Sequence, residues 1–276
     1  MPELPEVETV CTDLRDSAII GSLIVAVDVL WERTIGMMDA DTFRKRLVGR
    51  KFLTVSRRGK FLVLGIDDGS TLLIHLRMSG SLVLMDNPDT PDDHDRVIIR
   101  FDALSLRFHD PRKFGRMILT DEPGHFLGRL GPEPLSEDLD AVAFHHMLLT
   151  RRGRVKALLL DQHFIAGIGN IYADESLFIA LLHPCRIACT LSAVESARLL
   201  SAIRQVLSAG IAHRGTSLGD GESNFKSDGS MGSHGNSLSV FGRTGRQCPR
   251  CSSPIERTIV AQRSTHFCPH CQPLQP

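Results

Sequence analysis

Four cysteines near the C-terminus constrain the fold of this chain more than any other feature. They form two Cys-x-x-Cys pairs, Cys248 with Cys251 and Cys268 with Cys271, separated by sixteen residues. Two such pairs supply four thiolates for one tetrahedral Zn²⁺, with no open position for water. A redox dithiol is the alternative for one pair, but it leaves the second pair unexplained. The sequence therefore predicts one structural zinc ion that holds a short hairpin too small to fold by apolar burial alone.

The rest of the chain is long enough for two domains. Its 276 residues include 42% hydrophobic residues, which can bury a sizeable core. The N-terminus has no basic stretch followed by an apolar run, and no window approaches eighteen consecutive apolar residues. We therefore expect neither a signal peptide nor a membrane span, and a cytoplasmic location. In that compartment Cys11, Cys185 and Cys189 are expected to be small buried or partly buried residues rather than disulfides.

Hydrophobic periodicity divides the chain into a strand-rich part and a helical part. An amphipathic helix is predicted over 3–16, where apolar residues recur at helical spacing. Strands are predicted at 23–31, 61–66, 71–77, 81–85, 96–101, 104–108 and 116–120, with a hairpin turn at 67–70. Helices are predicted around 144–149, 155–160, 171–180 and 193–211. The many short strands favour an antiparallel sandwich or barrel.

Turn residues mark where the domains meet. The stretch 130–136 is rich in Gly and Pro, and the periodicity changes from strand to helix after it. Residues 215–245 are rich in Gly and Ser and are predicted to form a long loop or linker. The glycines before Asn170 favour an anion-binding helix start, although a simple helix connector is an alternative. We predict an α+β multidomain chain with domains at 1–131, 136–225 and 240–276.

Charge is informative through its distribution. The formal net charge is zero, so bulk charge predicts no polyanionic partner. Basic residues cluster at 57–60, 112–116 and 151–156, and an acidic loop spans 86–95. In the cysteine-rich module Arg243, Arg246, Arg250, Arg257 and Arg263 outnumber the single Glu256. Any one cluster can be a solvated surface, but together they favour a nucleic acid as partner.

The N-terminal residues include a group that could act as a nucleophile. Pro2 follows the initiator Met, and removal of Met1 would expose a secondary amine that titrates near neutrality. Such an amine can attack a sugar carbon and form an iminium. A proline near a chain start is also a common first residue of a helix, so residue chemistry leaves both interpretations open.

Five separated strings resemble a known family. They are MPELPEVETV at the start, HLRMSG at 75–80, HDPRKFG at 109–115, LLLDQ with AGIGNIYADE within 158–175, and QRSTHFCPHCQ at 262–272. By these strings the chain is identified as a member of the formamidopyrimidine-DNA glycosylases, the bacterial Fpg/MutM family. The resemblance implies an N-terminal antiparallel β-sandwich with flanking helices, a helical domain with a helix–two-turns–helix element, and a zinc-finger hairpin, with DNA between them.

The resemblance also implies an activity. It is that of a bifunctional glycosylase and AP lyase of base excision repair, which excises oxidised purines such as 8-oxoguanine from damaged double-stranded DNA. The amine of Pro2 would form a Schiff base at C1′ of a flipped nucleotide, and Glu3 would move protons. Lys60 would assist β-elimination and Arg263 δ-elimination, and both would contact phosphate. The resemblance implies a monomer with one structural zinc.

Further residues match DNA-contacting positions of the family. Asn170 would bind phosphate, and Arg112 would hold the cytosine left unpaired by base flipping. Phe114 and Met78 would fill the vacated space in the duplex. The remaining matches are His75, His94, Arg152 (where relatives often have lysine) and Lys156 as DNA contacts, and Glu6 and Glu175 as acidic residues lining the pocket.

The sequence departs from the family pattern in two places. Phe241 stands where relatives often have Tyr, so a phosphate-binding hydroxyl is missing. The segment 216–236, which in the family covers the flipped base, has His234 and Gly235 in place of the usual Phe-Gln pair.

Two other functions are compatible with part of the sequence. An endonuclease VIII-like enzyme, which prefers oxidised pyrimidines, shares Pro2, Glu3 and the zinc finger, but Arg112 and Phe114 argue against it. A non-catalytic zinc-finger protein that binds DNA would need neither the Pro2–Glu3 start nor Lys60.

Overall fold

The structure is a computed structural model that describes residues 1–36, 38–86, 90–216 and 234–274. Among these, residues 1–129 with 214–216 form one compact unit, and 130–213 with 234–274 form another. The division at residue 130 lies in the turn-rich stretch that predicted a boundary. Residues 217–233, the larger part of the predicted loop, lie outside the described ranges. No helix in the described chain is both long and apolar enough to span a membrane.

The first unit begins with helix α1, Leu4–Arg15, which confirms the helix predicted over 3–16. Pro5 lies in its first turn, where proline needs no hydrogen-bond partner, and Glu3 is its N-cap. Val7, Val10 and Leu14 recur at helical spacing and are fully buried. This apolar face joins the core of the first unit.

The described part of the first unit has two four-stranded antiparallel sheets. The strands are β1 (Ala26–Val29), β2 (Phe52–Arg58), β3 (Phe61–Ile66), β4 (Thr71–His75), β5 (Ser81–Asp86), β6 (Asp95–Arg100), β7 (Leu104–His109) and β8 (Arg116–Thr120). One sheet has the order β1-β6-β7-β5 and the other β2-β3-β4-β8. Apolar residues of both sheets share one core, including Leu64, Ile74, Ile99 and Phe108. The antiparallel sandwich is confirmed.

One strand and two helices of this unit were not predicted. Strand β2 has an irregular burial pattern and a register shift between Phe52 and Thr54, so it lacks strict alternation. Helix α2, Ala40–Leu47, buries only Phe43 and Leu47 and is otherwise polar, so its periodic signal is weak. A short helix α3, Gly124–Leu127, follows the last strand. The strand predicted at 23–31 is shortened to β1.

The second unit contains helices and one hairpin. Its elements are α4 (Ala141–Leu149), α5 (Val155–Leu160), α6 (Asn170–Ile179), α7 (Ala193–Ala212), β9 (Glu256–Val260) and β10 (Arg263–Phe267). The four predicted helices are confirmed, and a capping box of Ser192 with Glu195 begins α7. The cysteine-rich module packs on α6 through Phe178, Val240 and Ile255.

Candidate functional site

The chain start is held in place where α1 begins. Pro2 is buried, and only 2% of the surface of Glu3 is exposed to solvent. The Glu3 carboxylate accepts from the backbone N–H of Glu6, while the Glu3 N–H donates to Glu6 Oε2 at 2.9 Å. This reciprocal capping removes much of the freedom that a chain end normally has. Loss of Met1 would leave the Pro2 amine in a defined place next to a buried carboxylate.

Glu6 also holds a distant part of the chain. Its Oε1 accepts the backbone N–H of Thr216 at 2.8 Å. The preceding Gly215 has φ +82°, and a Cβ built there would lie 2.9 Å from Glu6 Cγ. Only glycine combines this conformation with so close an approach. Glu6 therefore anchors the residue that precedes segment 217–233.

Lys60 lies in the turn between β2 and β3. Arg58 pairs with Phe61, so Gly59 and Lys60 are the two central residues of the turn. Gly59 supplies the left-handed conformation with φ +57°. The Lys60 side chain is buried, with 5% of its surface exposed. A buried ammonium at a hairpin turn is unusual, because turns normally lie in solvent.

His75 lies across the β3–β4 pair from Phe61 and is held neutral. Its Nδ1 accepts the backbone N–H of Arg77 at 3.0 Å, and its ring contacts Phe61 at 4.7 Å between centroids. Burial, with the charges of Arg77 and Lys60, lowers the pKa of His75 from 6.5 to about 3. Because Nδ1 accepts, the proton is on Nε2, and His75 can offer a neutral donor but no charge.

One buried carboxylate holds two loops of the first unit. Asp110 is fully buried and directly follows β7. Its Oδ1 accepts the Ser79 hydroxyl at 2.5 Å, and its Oδ2 accepts the Gly115 N–H at 2.7 Å. Ser79 adjoins Met78, and Gly115 adjoins Phe114. The two predicted void-filling residues therefore lie on loops that share one anchor.

The second of these loops presents an exposed aromatic ring. Phe114 is 49% exposed, and the Arg112 guanidinium lies 5.0 Å from the centroid of its ring. Between them, Lys113 Nζ lies 4.1 Å from the centroid of the Trp31 ring, a cation–π contact that holds the loop. Met78 is half-buried. The arrangement leaves Arg112 and Phe114 accessible to a partner.

His94 lies near the same anchor. It is exposed, and its carbonyl oxygen accepts the backbone N–H of Asp110 at 2.9 Å. Its ring meets that of His109 at 5.5 Å between centroids. The structure thus brings His94 and the loops of Met78 and Phe114 together around Asp110, and places Lys60 close to His75.

Asn170 begins α6 in the second unit. Its Nδ2 donates to the carbonyl oxygen of Ser264 at 2.9 Å. Its Oδ1 is buried and has no hydrogen-bond partner among the described residues. Because a carbonyl can only accept, this bond settles which way the amide points. The second Nδ2 hydrogen is left for another acceptor near the N-terminus of the helix.

Lys156 requires a correction. Its side chain is fully buried, and Nζ lies 2.6 Å from Asp174 Oδ1. The same nitrogen donates to the carbonyl oxygen of Ser264 at 3.0 Å and to Thr265 Oγ1 at 2.7 Å. The DNA contact that the resemblance implied for Lys156 does not fit this location, because an ammonium enclosed in the core cannot touch a ligand at the surface.

The other basic residues of the second unit are at the surface. Arg263 is exposed and begins β10, directly after the turn residues Ala261 and Gln262. Arg152 is exposed in the segment between α4 and α5. Arg263 precedes Ser264, the partner of Asn170, so these two predicted phosphate contacts are close neighbours.

The Glu175 carboxylate binds backbone N–H groups of the chain. Its carboxylate accepts the N–H groups of Ser239, Val240 and Phe241, each at 2.9 Å. Burial raises the pKa of Glu175, although these bonds oppose the shift. The Phe241 ring contacts the His266 ring at 5.0 Å between centroids. Glu175 thus anchors the chain that follows segment 217–233, as Glu6 does for the residue before it.

The four cysteines fit one zinc ion. Their sulfur atoms lie within 4.8 Å of one another, and two of the separations are 3.4 and 3.9 Å. Tetrahedral Zn–S bonds of about 2.3 Å require S···S separations of about 3.8 Å. Backbone N–H groups of Arg250 and Cys271 point at the sulfurs of Cys248 and Cys268, at 3.4 Å each. Such bonds stabilise thiolates that bind a metal.

Sequence reasoning missed three residues that organise these sites: Asp110, Asp174 and Ser264. Asp110 is the second residue of the HDPRKFG string, in which the resemblance assigns roles to Arg112 and Phe114 and none to the aspartate. Asp174 lies four residues after Asn170 and therefore on the same face of α6. That spacing could have revealed it. Ser264 acts through its carbonyl, for which the sequence carries no signal.

Comparison with known proteins gives three family matches that together cover most of the chain. The formamidopyrimidine-DNA glycosylase N-terminal domain matches residues 1–117, and the formamidopyrimidine-DNA glycosylase H2TH domain matches residues 130–221. The zinc finger found in FPG and IleRS matches residues 246–274.

Full-length relatives give the same result. The formamidopyrimidine-DNA glycosylase of Protochlamydia amoebophila is 41% identical over 274 residues, covering 99% of both chains. Fpg of Lactococcus lactis, solved in complex with DNA containing an abasic site, is 36% identical with a TM-score of 0.91, covering 99% of this chain and 100% of that one. The same L. lactis protein solved with FAPY-dG DNA has a TM-score of 0.90 at the same identity and coverage.

Proposed function

The chain belongs to the formamidopyrimidine-DNA glycosylase family, and from this premise we propose how its residues carry out the family reaction. The protein is a base excision repair DNA glycosylase with AP lyase activity, and it acts on oxidised purines in DNA. Its fold is the family fold, and the four cysteines fit the family's structural zinc. The roles of single residues are our proposal.

The observation that carries the proposal is the buried Pro2–Glu3 start of α1. After removal of Met1, Pro2 has a secondary amine that is partly unprotonated at neutral pH. The capping of Glu3 by Glu6 holds that amine in one place. A positioned nucleophile beside a carboxylate that can exchange protons suits attack on a sugar carbon.

The chemical steps follow from these groups. The Pro2 nitrogen bonds to C1′ of the flipped nucleotide as the glycosidic bond breaks, and the proton that the amine loses leaves with the damaged base. Opening of the sugar ring, with a proton delivered by Glu3, gives an iminium. Loss of a C2′ proton then expels the 3′ phosphate by β-elimination, and a second elimination expels the 5′ phosphate.

Two basic residues support the eliminations in this proposal. Lys60, buried in its hairpin turn, assists β-elimination, and the exposed Arg263 assists δ-elimination while contacting phosphate. Asn170 binds phosphate through its remaining amide hydrogen. Cys248, Cys251, Cys268 and Cys271 hold zinc, which supplies structure to the hairpin and no chemistry at the sugar.

Arg112 and Phe114, which are exposed on the 110–115 loop, are placed to contact a duplex from which one base has been flipped out. Flipping a base leaves a gap and costs a few kcal/mol in lost stacking. Phe114 can enter that gap, Met78 can fill the space beside it, and Arg112 can donate to the unpaired cytosine. His75, His94 and Arg152 are proposed as further contacts, with His75 acting as a neutral donor.

The organisation of the whole protein completes the proposal. We assign catalysis to 1–131, DNA binding to 136–225 and the zinc finger to 240–276. The protein is proposed to act as a monomer in the cytoplasm, where it meets chromosomal DNA. Sedimentation of the protein with and without a lesion duplex tests the monomer.

Borohydride trapping tests the nucleophile. The processed protein, incubated with a duplex carrying 8-oxoguanine opposite cytosine, should form a covalent adduct on reduction, because an iminium is an obligatory intermediate. The matched control is the same chain with one extra residue before Pro2, which turns the amine into an amide. It should bind the duplex and give no adduct.

Two results contradict this proposal in different ways. Equal adduct from the extended chain would mean that another amine is the nucleophile. Absence of both adduct and base release from the processed protein would reject the glycosylase function for oxidised purines. A parallel duplex with an oxidised pyrimidine tests the endonuclease VIII-like alternative.

A further inference from the structure

A buried ion pair in the second unit leads to two residues that are proposed to hold phosphates. Lys156 on α5 pairs with Asp174 on α6, and both side chains are fully buried. The same ammonium donates to Ser264 and Thr265 on β10, the strand that begins with Arg263. Lys156 thus connects two helices to the zinc-finger hairpin.

The first connection ends at Asn170. The carbonyl oxygen of Ser264 accepts from Lys156 Nζ at 3.0 Å and from Asn170 Nδ2 at 2.9 Å. A carbonyl oxygen has two lone pairs, so these donors use both. The lysine bond limits the directions in which this carbonyl can point. The orientation of the Asn170 amide, which depends on that carbonyl, is limited with it.

The second connection ends at Arg263. Thr265 Oγ1 accepts from Lys156 Nζ at 2.7 Å and donates to the carbonyl oxygen of Arg263 at 3.1 Å. An ammonium donor polarises the hydroxyl and strengthens its onward bond. Lys156 is therefore two hydrogen bonds from the backbone of Arg263.

We propose that Lys156 is a positioning residue for phosphate binding: through the Ser264 carbonyl and the Thr265 hydroxyl it orients Asn170 and Arg263 without touching DNA. The proposal rests on the proposed function of those two residues. Asp174 balances the charge of Lys156 in the core, and its Oδ2 accepts the backbone N–H of His266 on the same strand at 2.9 Å. Strand β10 is thus held at three successive residues.

The effect of Lys156 on protein stability can be separated from its proposed positioning role by comparing a variant that leaves Asp174 charged with one that removes both charges. Removing one partner of a buried ion pair leaves an uncompensated charge, whereas removing both leaves a neutral core. Lys156→Met should therefore lower the melting temperature, and the double variant K156M/D174N should recover most of it. Both variants lack the bonds from Lys156 to Ser264 and Thr265.

The experiment measures melting temperature and the Kd for a duplex carrying a tetrahydrofuran abasic analogue at several salt concentrations. In the double variant we expect Kd to be raised about five- to tenfold, less than the loss of a direct bond from a charged donor, because Lys156 acts on the phosphate contacts only through Ser264 and Thr265. The slope of log Kd against log salt should not change, because no phosphate contact is removed. Thr265→Val, which removes the path to Arg263 but keeps the Lys156–Asp174 ion pair, should raise Kd about two- to fivefold and lower the melting temperature less than Lys156→Met does.

Two comparison variants complete the experiment. Arg204, which donates to the carbonyls of Pro134, Ser136 and Leu139 in the same unit, is the control for stability. Arg204→Met should lower the melting temperature and leave Kd unchanged. Arg263→Ala should flatten the salt slope by about one unit, as loss of a phosphate contact does.

The results that overturn the proposal are distinct. If the double variant recovers melting temperature and Kd together, and Thr265→Val binds normally, Lys156 is structural only. If the double variant combined with Arg263→Ala flattens the salt slope by a further unit beyond Arg263→Ala alone, Lys156 contacts a phosphate directly. Wild-type protein that neither binds nor cleaves lesion DNA would reject the proposed function, whatever the variants do.

Discussion

At the scale of single residues, His75 illustrates how packing sets charge. In the sequence it is a histidine between Ile74 and Leu76, with no sign of its protonation state. Burial against Phe61 and the charges of Arg77 and Lys60 lower its pKa to about 3. The folded protein therefore resists protonation of His75, while the unfolded chain accepts a proton near pH 6.5.

This difference predicts a pH dependence of stability. The contribution of neutral His75 to the free energy of unfolding is fully present above about pH 6.5. It is lost as the pH falls toward 3, at no more than about 1.4 kcal/mol per pH unit. Between about pH 7.5 and about pH 5, His75→Gln should lose less melting temperature than the wild type. His125→Gln, at an exposed histidine, is the control. Parallel curves for wild type and His75→Gln would show that His75 titrates normally.

At the scale of elements, left-handed residues precede several of the proposed functional side chains. Gly59, Arg77, Lys113 and Gln262, with φ between +57 and +61°, directly precede Lys60, Met78, Phe114 and Arg263 respectively. A left-handed residue reverses the chain sharply, so the next residue lies at or near the apex of a turn. For residues other than glycine this costs about 1–2 kcal/mol, which the surrounding contacts must offset.

The two loops on Asp110 share a second support. Gly80 and Gly115 both lie against the buried Phe108 ring, and a Cβ at Gly115 would come within 2.3 Å of Phe108 Cζ. Any larger residue there would displace the ring or the loop. The positions of Met78 and Phe114 thus depend on one aromatic ring and one carboxylate.

Replacement of Asp110 should therefore affect both loops. Asp110→Asn keeps the shape but exchanges an acceptor for a donor facing hydroxyl and N–H groups, so we expect a loss of about 1.5–3 kcal/mol in stability. Arg112 is proposed to donate to the cytosine opposite the lesion, so Arg112→Ala should lower the ratio of excision rates for lesion:C and lesion:A duplexes. Asp110→Asn, which displaces the loop that carries Arg112, should lower that ratio in the same direction. Asp102→Asn, at an exposed aspartate, is the control. A normal rate ratio despite lower stability would limit Asp110 to a structural role.

At the scale of the whole molecule, the first compact unit and the cysteine-rich module of the second depend on different sources of stability. The first has a single apolar core of helix and sandwich residues. The cysteine-rich module of the second has a small cluster, completed by Gln272, whose side chain joins the Cys268 N–H to the Leu182 carbonyl oxygen. So small a cluster needs a metal to stay folded.

Loss of zinc should therefore be selective. Cys268→Ser should lose zinc and DNA affinity together, because the hairpin that carries Arg263 unfolds, while the first unit still melts cooperatively. Cys185→Ser, at a cysteine outside the cluster, should retain both. Metal content, DNA titration and calorimetry measure these quantities. Normal DNA binding by zinc-free protein would contradict the structural role of the metal.

Features governed by neighbours in the chain could be predicted from the sequence. Helix α1, the turn at 67–70 and the zinc ligands all depend on spacing over a few residues, and strand β3 has the predicted bounds, Phe61–Ile66. The family followed from five strings in order. The contributions of Pro2, Glu3, Lys60 and Arg263 came from that resemblance, because isolated residues carry no sign of a role.

Features governed by distant contacts were decided by the tertiary structure alone. Lys156 is one basic residue of a charged cluster in the sequence, yet its partners Ser264 and Thr265 lie more than a hundred residues away. Burial is a property of the packed chain, and a charged side chain is taken as exposed unless a partner is known. The role of Asp110 is hidden for the same reason, because its partner Ser79 comes from another loop. The residues proposed to contact phosphate could therefore be predicted from the sequence, whereas the residue proposed to position them could not.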